Sequence, residues 1–262
     1  MKREDLLVIK LGGASLESET VVQSLAKDIK KLHDLGYTML LIHGGGPAIN
    51  AALTERNIIW EFVDGQRKTT PEMMKVIEAT LFGIVNRRLQ THFSALGVPV
   101  LGISGSDMGI LKCSPLNDEL GLVGSVEGVN KDLLKKIVDL NVVPLITPVG
   151  SDEKGNKFNI NADMAAMHIA TGLKAKNLIY MTDQKGIWDQ NKETIKQIDA
   201  LGLYQLMQTK VVQGGMLVKV KSVVQALREG VEEVDIIDAR AENSLYDLVH
   251  SKKTLGTRCY AN

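Results

Sequence analysis

Apolar residues along this chain follow two alternating periods. Continuous apolar runs at 6–9 and 39–42 read as buried strands, and between them Val21, Val22, Leu25, Ile29 and Leu32 recur at helical spacing until Gly36. Strand, helix, strand predicts a βαβ unit and hence a parallel sheet. A second helix is expected after Pro47. Pro71, suited to a first helical turn, opens a long helix through Met74, Ile77, Leu81, Ile84, Val85 and Leu89, and a strand follows at 98–103.

Between 105 and 128 the pattern breaks into short pieces separated by Gly, Ser, Asn and Asp, which predicts hairpins forming a β-rich flap over the sheet edge. The alternation then resumes with helix 130–140, strand 142–147, a turn at 152–156, helix 162–171 and strand 177–182. Helix 199–208, a turn at Gly214-Gly215, helix 216–229 with Leu217, Val220, Val224 and Leu227 on one face, and strand 234–238 complete it. No Pro/Ser-rich linker or repeat intervenes, so the expected lobe boundary, near residue 175, lies within one compact body.

The first two strands end alike, in Lys10-Leu11-Gly12-Gly13 and His43-Gly44-Gly45-Gly46. Glycine turns at the carboxyl ends of neighbouring strands, just before helices, let an anion approach backbone N–H groups, so phosphate chemistry is the first expectation.

At 262 residues, 44% hydrophobic and 24% charged, the chain can build one large α/β domain or two packed lobes. Its 31 basic and 31 acidic residues cancel, so no global field favours nucleic acid or a membrane, and a small anion must be held locally. Cys113 and Cys259 belong to no C-x-x-C or Cys/His cluster, and two reduced thiols are expected. Met1-Lys2-Arg3-Glu4-Asp5 is charged, the run after it is too short for a signal peptide, and no segment approaches ~18 apolar residues, so the expected location is the cytoplasm.

No Walker loop, protein-kinase H-R-D or D-F-G signature, or G-x-G-x-x-G string is present. Lys10 either reaches a phosphoryl group held on the glycine amides or snorkels from the sheet end. Lys219, in the expected first turn of a helix, is unfavourably placed for a cation unless a polyanion binds there, with Lys221 as a decoy. Asn161 or Asp163 either caps the helix after Asn159 or, in the functional reading, Asn159 orients a substrate and Asp163 positions the two lysines. Arg67, in Gly65-Gln66-Arg67-Lys68-Thr69, either clamps a carboxylate or makes a surface ion pair. Arg87 and Arg88 read as a solvated helix face and His43 as a structural strand-end residue. Asp183, Gln184, Lys185, Gly186, Ile187 and Trp188 form a nucleotide pocket or a plain turn.

In order, Ile9-Lys10-Leu11-Gly12-Gly13, His43-Gly44-Gly45-Gly46, Gly65-x-Arg67-x-Thr69, Asn159-x-Asn161-Ala162-Asp163, Thr182-Asp183 with Gly186, Gly214-Gly215-Met216 with Lys219, and Gly256-Thr257-Arg258 resemble the amino acid kinase family, in particular its branch acting on N-acetyl-L-glutamate. The resemblance implies a three-layer αβα sandwich around a mainly parallel central sheet, with an acyl-amino-acid lobe over 1–175 and an ATP lobe over 176–262. It implies transfer of the ATP γ-phosphoryl group to a side-chain carboxylate. Lys10 and Lys219 would stabilise that group, Asp163 organise them, and Gly45 and Gly46 supply amides. Arg67, Asn159 and Asn161 would hold the acylated substrate. Gly12, Gly13, residues 183–188, Val211, Val212 and Gln213 would serve ATP. Mg2+ would be carried mainly by the nucleotide, with no protein metal ligand.

Arginine-inhibited members carry an N-terminal helical extension that joins dimers into a hexamer, whereas here the first strand begins at Leu6, so a homodimer without arginine feedback is expected. The alternatives are the same chemistry on N-succinylglutamate or carrier-linked aminoadipate, or a catalytically silent nucleotide or amino-acid sensor.

Overall fold

The computed structural model describes residues 6–261; the charged start discussed above lies outside the described residues. In chain order the first elements are β1 (Leu6–Leu11), α1 (Glu19–Asp34), β2 (Thr38–His43), α2 (Gly46–Glu55) and a hairpin of β3 (Phe62–Val63) and β4 (Gln66–Arg67). A long helical run follows: α3 (Pro71–Glu78), a π-helical stretch (Ala79–Asn86) and α4 (Arg87–Ala95). Next come β5 (Val100–Ser104), β6 (Leu111–Pro115), β7 (Gly124–Val129), α5 (Lys131–Asp139), β8 (Val143–Thr147), β9 (Val149–Ser151), β10 (Lys157–Asn159) and α6 (Ala162–Leu173). The chain closes with β11 (Asn177–Thr182), β12 (Gln197–Asp199), α7 (Ala200–Gln208), α8 (Gly214–Arg228), β13 (Glu233–Asp238), α9 (Ser244–Val249) and β14 (Thr257–Tyr260).

Eight strands form the central sheet in the order β12-β14-β13-β11-β1-β2-β8-β5. Its pairings are parallel except for β13 with β14. β1 lies between β2 and β11, so the chain leaves it toward one edge and later returns on its other side. The crevice beyond the carboxyl ends at such a reversal is where open α/β sheets bind ligands.

Strand alternation builds two cores. Leu6 and Val8 pack with Leu178, Val234 and the α6 and α8 residues Ala166, Ile169, Val220 and Val223 on one face. Leu7, Ile9 and Leu11 pack with Val22, Leu25 and Ile29 of α1, Phe93 of α4 and Leu248 of α9 on the other. Each such Leu or Ile side chain removed from water contributes roughly 1.5–3 kcal/mol. The result is the expected αβα sandwich. The first core joins residues from before and after residue 175.

The expected flap is a second sheet in the order β10-β9-β6-β7, with a register shift between Lys112 and Cys113. The turn at 152–156 closes its β9–β10 hairpin: the Asp152 carboxylate accepts from the N–H groups of Lys154 and Asn156 and from the Asn156 amide. β12, α9, β14 and the β3–β4 hairpin add to the elements expected from the sequence. α9 is fixed by the buried Asp28 of α1, whose Oδ2 accepts from the N–H groups of Leu245 and Tyr246 at 3.2 Å each.

Candidate active site

On the face that buries Leu6 and Val8, the next side chain of β1 is Lys10, the last before the glycine turn. Its ammonium therefore reaches the crevice from a rigid strand. Opposite it, Asn161 caps α6, its Oδ1 accepting from the N–H groups of Asp163 at 2.9 Å and Met164 at 3.3 Å. Because Asn161 does the capping, the Asp163 carboxylate is left for the lysines. Lys10 Nζ lies 2.8 Å from Asp163 Oδ1, and Lys219 Nζ, from α8, lies 2.8 Å from Oδ2.

All three side chains are buried. Burial pushes the Asp163 carboxyl up, but the charges and hydrogen bonds of Lys10 and Lys219 outweigh it and hold the group well below the usual carboxylate range. Burial pulls Lys219 down to about 8, with Asp163 opposing that shift and Lys10 adding to it. Two ammonium groups on one carboxylate leave an excess positive charge that an anion would neutralise.

α8 spans Gly214–Arg228, but the left-handed φ of +54° at Gly214 keeps the expected turn at that residue, and the right-handed helix runs on from Gly215, so Lys219 lies just past the first helical turn. The expected conflict with the helix dipole is correspondingly weaker, since that field falls off within a turn. Asp163 supplies the compensating charge. Lys221 is exposed, as expected of a decoy.

The two glycine turns close on each other. A Cβ on Gly13 would lie 2.6 Å from Gly45 N and 3.0 Å from Gly46 N, so backbone meets backbone where only glycine fits. Gly12 N–H donates to the Met181 carbonyl at 2.8 Å, tying the first turn to the end of β11. No side chain caps α2 at Gly45. A cavity of about 280 Å3 opens here, lined among others by Lys10, Gly45, Gly46, Arg67, Asn159 and Asp163.

Arg67 enters that cavity from β4. It is buried, and burial lowers its guanidinium to about 10, leaving it charged at neutral pH. Nη2 donates to Asn50 Oδ1 at 2.5 Å, and the rings of Trp60 and Phe62 lie 5.0 and 4.6 Å away by centroid. Nη1 is buried without a partner, as expected of a donor that awaits an acceptor. This is not a surface ion pair. Arg67 O accepts from Thr69 Oγ1, which in turn accepts from Asn159 Nδ2 at 3.2 Å, linking the clamp to the amide.

His43 is structural. It is fully buried, and burial lowers it to about 4 against the opposing bond to Gly44 O. Nδ1–H donates to that carbonyl, while Nε2 lies 3.0 Å from Thr147 Oγ1 and accepts from Asn86 Nδ2. Asn86 ends the π-helical stretch. Arg88, expected on a solvated face, is half-buried and donates to the Leu16 carbonyl, whereas Arg87 is exposed.

The loop after β11 leaves Asp183, Lys185 and Trp188 exposed and Gln184 half-buried, while Gly186 and Ile187 are buried. Ile187 N–H donates to Thr257 Oγ1 at 2.8 Å, and that hydroxyl donates to Ile195 O at 2.6 Å, so the start of β14 anchors this loop. Before α8, Val211 is half-buried, Val212 buried and Gln213 exposed. Ile187 and Val212 place their side chains in the core, so in the expected nucleotide site these two positions contribute backbone only. The expected site residues include none of Asn50, Trp60 and Phe62, and Thr257 enters the sequence pattern only as part of the Gly256-Thr257-Arg258 string. Trp60 and Phe62 carried a signal as aromatics two residues apart beside the Arg67 string.

The sequence profile of the amino acid kinase family matches residues 5–238, and the chain belongs to that family. Among its relatives, the acetylglutamate kinase of Aquifex aeolicus is 36% identical over 269 residues, covering 96% of this chain and 90% of the relative. The acetylglutamate kinase of Ruegeria pomeroyi is 35% identical over 240 residues, covering 92% and 84%. The crystal structure of smu.665 from Streptococcus mutans superposes with a TM-score of 0.83 at 29% identity, covering 89% of this chain and 95% of that one.

Proposed function

We propose that the protein transfers the γ-phosphoryl group of ATP to the side-chain carboxylate of N-acetyl-L-glutamate, giving an acyl phosphate and ADP in arginine biosynthesis. The observation that carries this reading is the pair of buried lysines, each 2.8 Å from a different oxygen of Asp163 beside the uncapped glycine amides. The family membership and the names of its relatives support it.

A carboxylate oxygen attacks Pγ while the bond from Pγ to the bridging oxygen breaks toward ADP. No proton need be removed, which agrees with a buried, structural His43. Charge spreads over the transferring oxygens, so positioning and cationic stabilisation dominate the barrier. Lys10 and Lys219 meet that charge. Gly13, with Gly45 and Gly46, offers N–H groups, while the Gly12 N–H is engaged by Met181 O and Gly12 serves by keeping the turn close to β11. Arg67 receives the substrate's α-carboxylate on its unpaired Nη1, and Asn159 and Asn161 face the acylamide.

The exposed ends of the 183–188 and 211–213 segments receive ATP. Both Asp163 oxygens are already engaged by lysines, so Mg2+ would be held by nucleotide oxygens. We assign 1–175 to the acyl-amino-acid lobe and 176–262 to the nucleotide lobe. Two buried free thiols suit a reducing cytoplasm, and no helix among the described residues is long and apolar enough to cross a membrane. Edge strand β5 carries the exposed Leu101, which supports a homodimer; light scattering should give twice the chain mass, and a monomer or hexamer would count against it.

A hydroxamate assay, in which hydroxylamine traps acyl phosphate, tests the function with ATP, Mg2+ and N-acetylglutamate, N-succinylglutamate, N-acetylaspartate or free aspartate. N-acetylglutamate should be preferred. Preference for an unacylated amino acid would overturn the assignment, and ATP binding without acyl phosphate would mark a sensor.

A further inference from the structure

Beneath the lysine pair lies a hydroxyl network that the phosphoryl-transfer reading leaves unused. Tyr180 of β11 is in register with Lys10 of β1, so the two side chains leave the sheet on the same face. The phenol is fully buried, with Oη 3.1 Å from the Asp163 carbonyl on α6 and 2.9 Å from Ser222 Oγ on α8. Ser222 Oγ in turn lies 2.7 Å from the Lys219 carbonyl. Two hydroxyl protons are shared among three contacts, so two are hydrogen bonds at any moment and the third is a close oxygen–oxygen approach; the set spans the backbones bearing Asp163 and Lys219. The face of the same ring receives Lys219 Nζ, 4.9 Å from its centroid.

We propose that Tyr180 is a positioning residue for phosphoryl transfer: with Ser222 its hydroxyl fixes α6 against α8, and its ring holds the Lys219 ammonium charged and directed at the transferring group. This rests on the kinase reading of the same site. An apolar aliphatic side chain in that space would fill the core equally well, but it would offer a buried ammonium no negative face and leave the Asp163 carbonyl without this partner. Charged and titratable neighbours acting on Lys219 are Asp163 of α6, Lys10 of β1 and Asp183 after β11. Asp163 is the counterion and Lys10 the competitor, so a neutral surface that favours the ammonium without adding a second carboxylate suits this position. A second carboxylate would instead repel the phosphoryl oxygens.

The ring and the hydroxyl are separable. Tyr180→Phe keeps the ring and removes the brace; Ser222→Ala removes the relay. Each should lower kcat about three- to tenfold, with both KM values within about twofold and the basic limb of the kcat/KM profile unmoved. Tyr180→Leu removes both and should also shift that limb down by roughly half to one pH unit, because the ammonium loses its partner.

Should Tyr180→Leu fail to fold, phenylalanines of increasing fluorine number at 180 keep the shape and weaken the ring face stepwise. The limb should then move down stepwise. NMR titration of the Lys219 amine in the resting protein gives the same shift without turnover, so failure of this inference is distinguishable from failure of the kinase assignment. An unmoved amine titration and kcat/KM limb in Tyr180→Leu or the fluorinated series would leave Tyr180 as core packing only and overturn the proposal.

Discussion

Lys10 and Lys219 share one counterion: each ammonium rests 2.8 Å from a different oxygen of Asp163, one delivered by a strand end and the other by a helix. The arrangement is stable only as a set. It leaves the site short of negative charge, which a phosphoryl group in transfer would supply under the proposed function.

Removing the counterion should expose the cost of the arrangement. Asp163→Asn leaves two buried ammonium groups facing each other, and the expected loss is about 3–5 kcal/mol at pH 7 together with activity. The folded carboxyl titrates below its unfolded value near 3.8, so its stabilising contribution is present above that pH and fades as the pH falls through the folded value. Urea unfolding of both proteins at pH 7 and pH 3 should show the gap narrowing in acid; an equal gap at both would refute this origin.

Lys219 is expected to set the basic limb of activity. Burial lowers it to about 8, so kcat/KM, which reports the free enzyme, should fall above about that pH. The limb of kcat should lie higher, since bound ATP favours the ammonium. Stability moves the other way: between about 8 and 10.5 the unfolded chain binds the extra proton, so this group's contribution to stability rises with pH. A flat kcat/KM profile from pH 7 to 10 would show that Lys219 need not be charged.

Arg67 should act on the acceptor alone. Its unpaired Nη1 and the Asn50 bond to Nη2 define a planar fork, which lysine cannot reproduce. Arg67→Lys is expected to raise KM for the acylated amino acid by about tenfold or more while leaving KM for ATP within about twofold. Equal effects on both constants would move Arg67 out of the acceptor site.

Gly13 tests the contact between the glycine turns. Gly13→Ala places a methyl 2.6 Å from Gly45 N, and displacing either turn by about 1 Å is expected to cost on the order of 100-fold in kcat/KM. Full activity in the alanine variant would show that the turns move apart without consequence.

These residues differ in how far the sequence revealed them. Lys10, Asp163 and the glycines were legible because each sits where a strand gives way to a turn or helix, and there local pattern and site coincide. The parallel sheet followed from the same alternation, and the αβα layering from the family resemblance. Asn50 was not legible: on α2 it is one polar residue among helix positions, and only the folded hairpin brings Arg67 to it. Thr257 was visible within the Gly256-Thr257-Arg258 string but without a role, since it anchors the loop at Ile187 only after β14 pairs antiparallel with β13. The turn expected at Gly214 is present, with φ +54°, and only the extent of α8 differs, by one or two residues at its start. Tyr180 looked like an ordinary buried strand residue, and its register with Lys10 exists only in the sheet.

The most direct test of the lysine pair is turnover in Lys10→Ala and Lys219→Ala at saturating ATP and N-acetylglutamate. Each should lower kcat by about 100- to 1,000-fold with KM changed only a few-fold, as expected for groups whose interaction strengthens in the transition state. An unchanged kcat in either variant would remove that lysine from the chemistry and contradict the account.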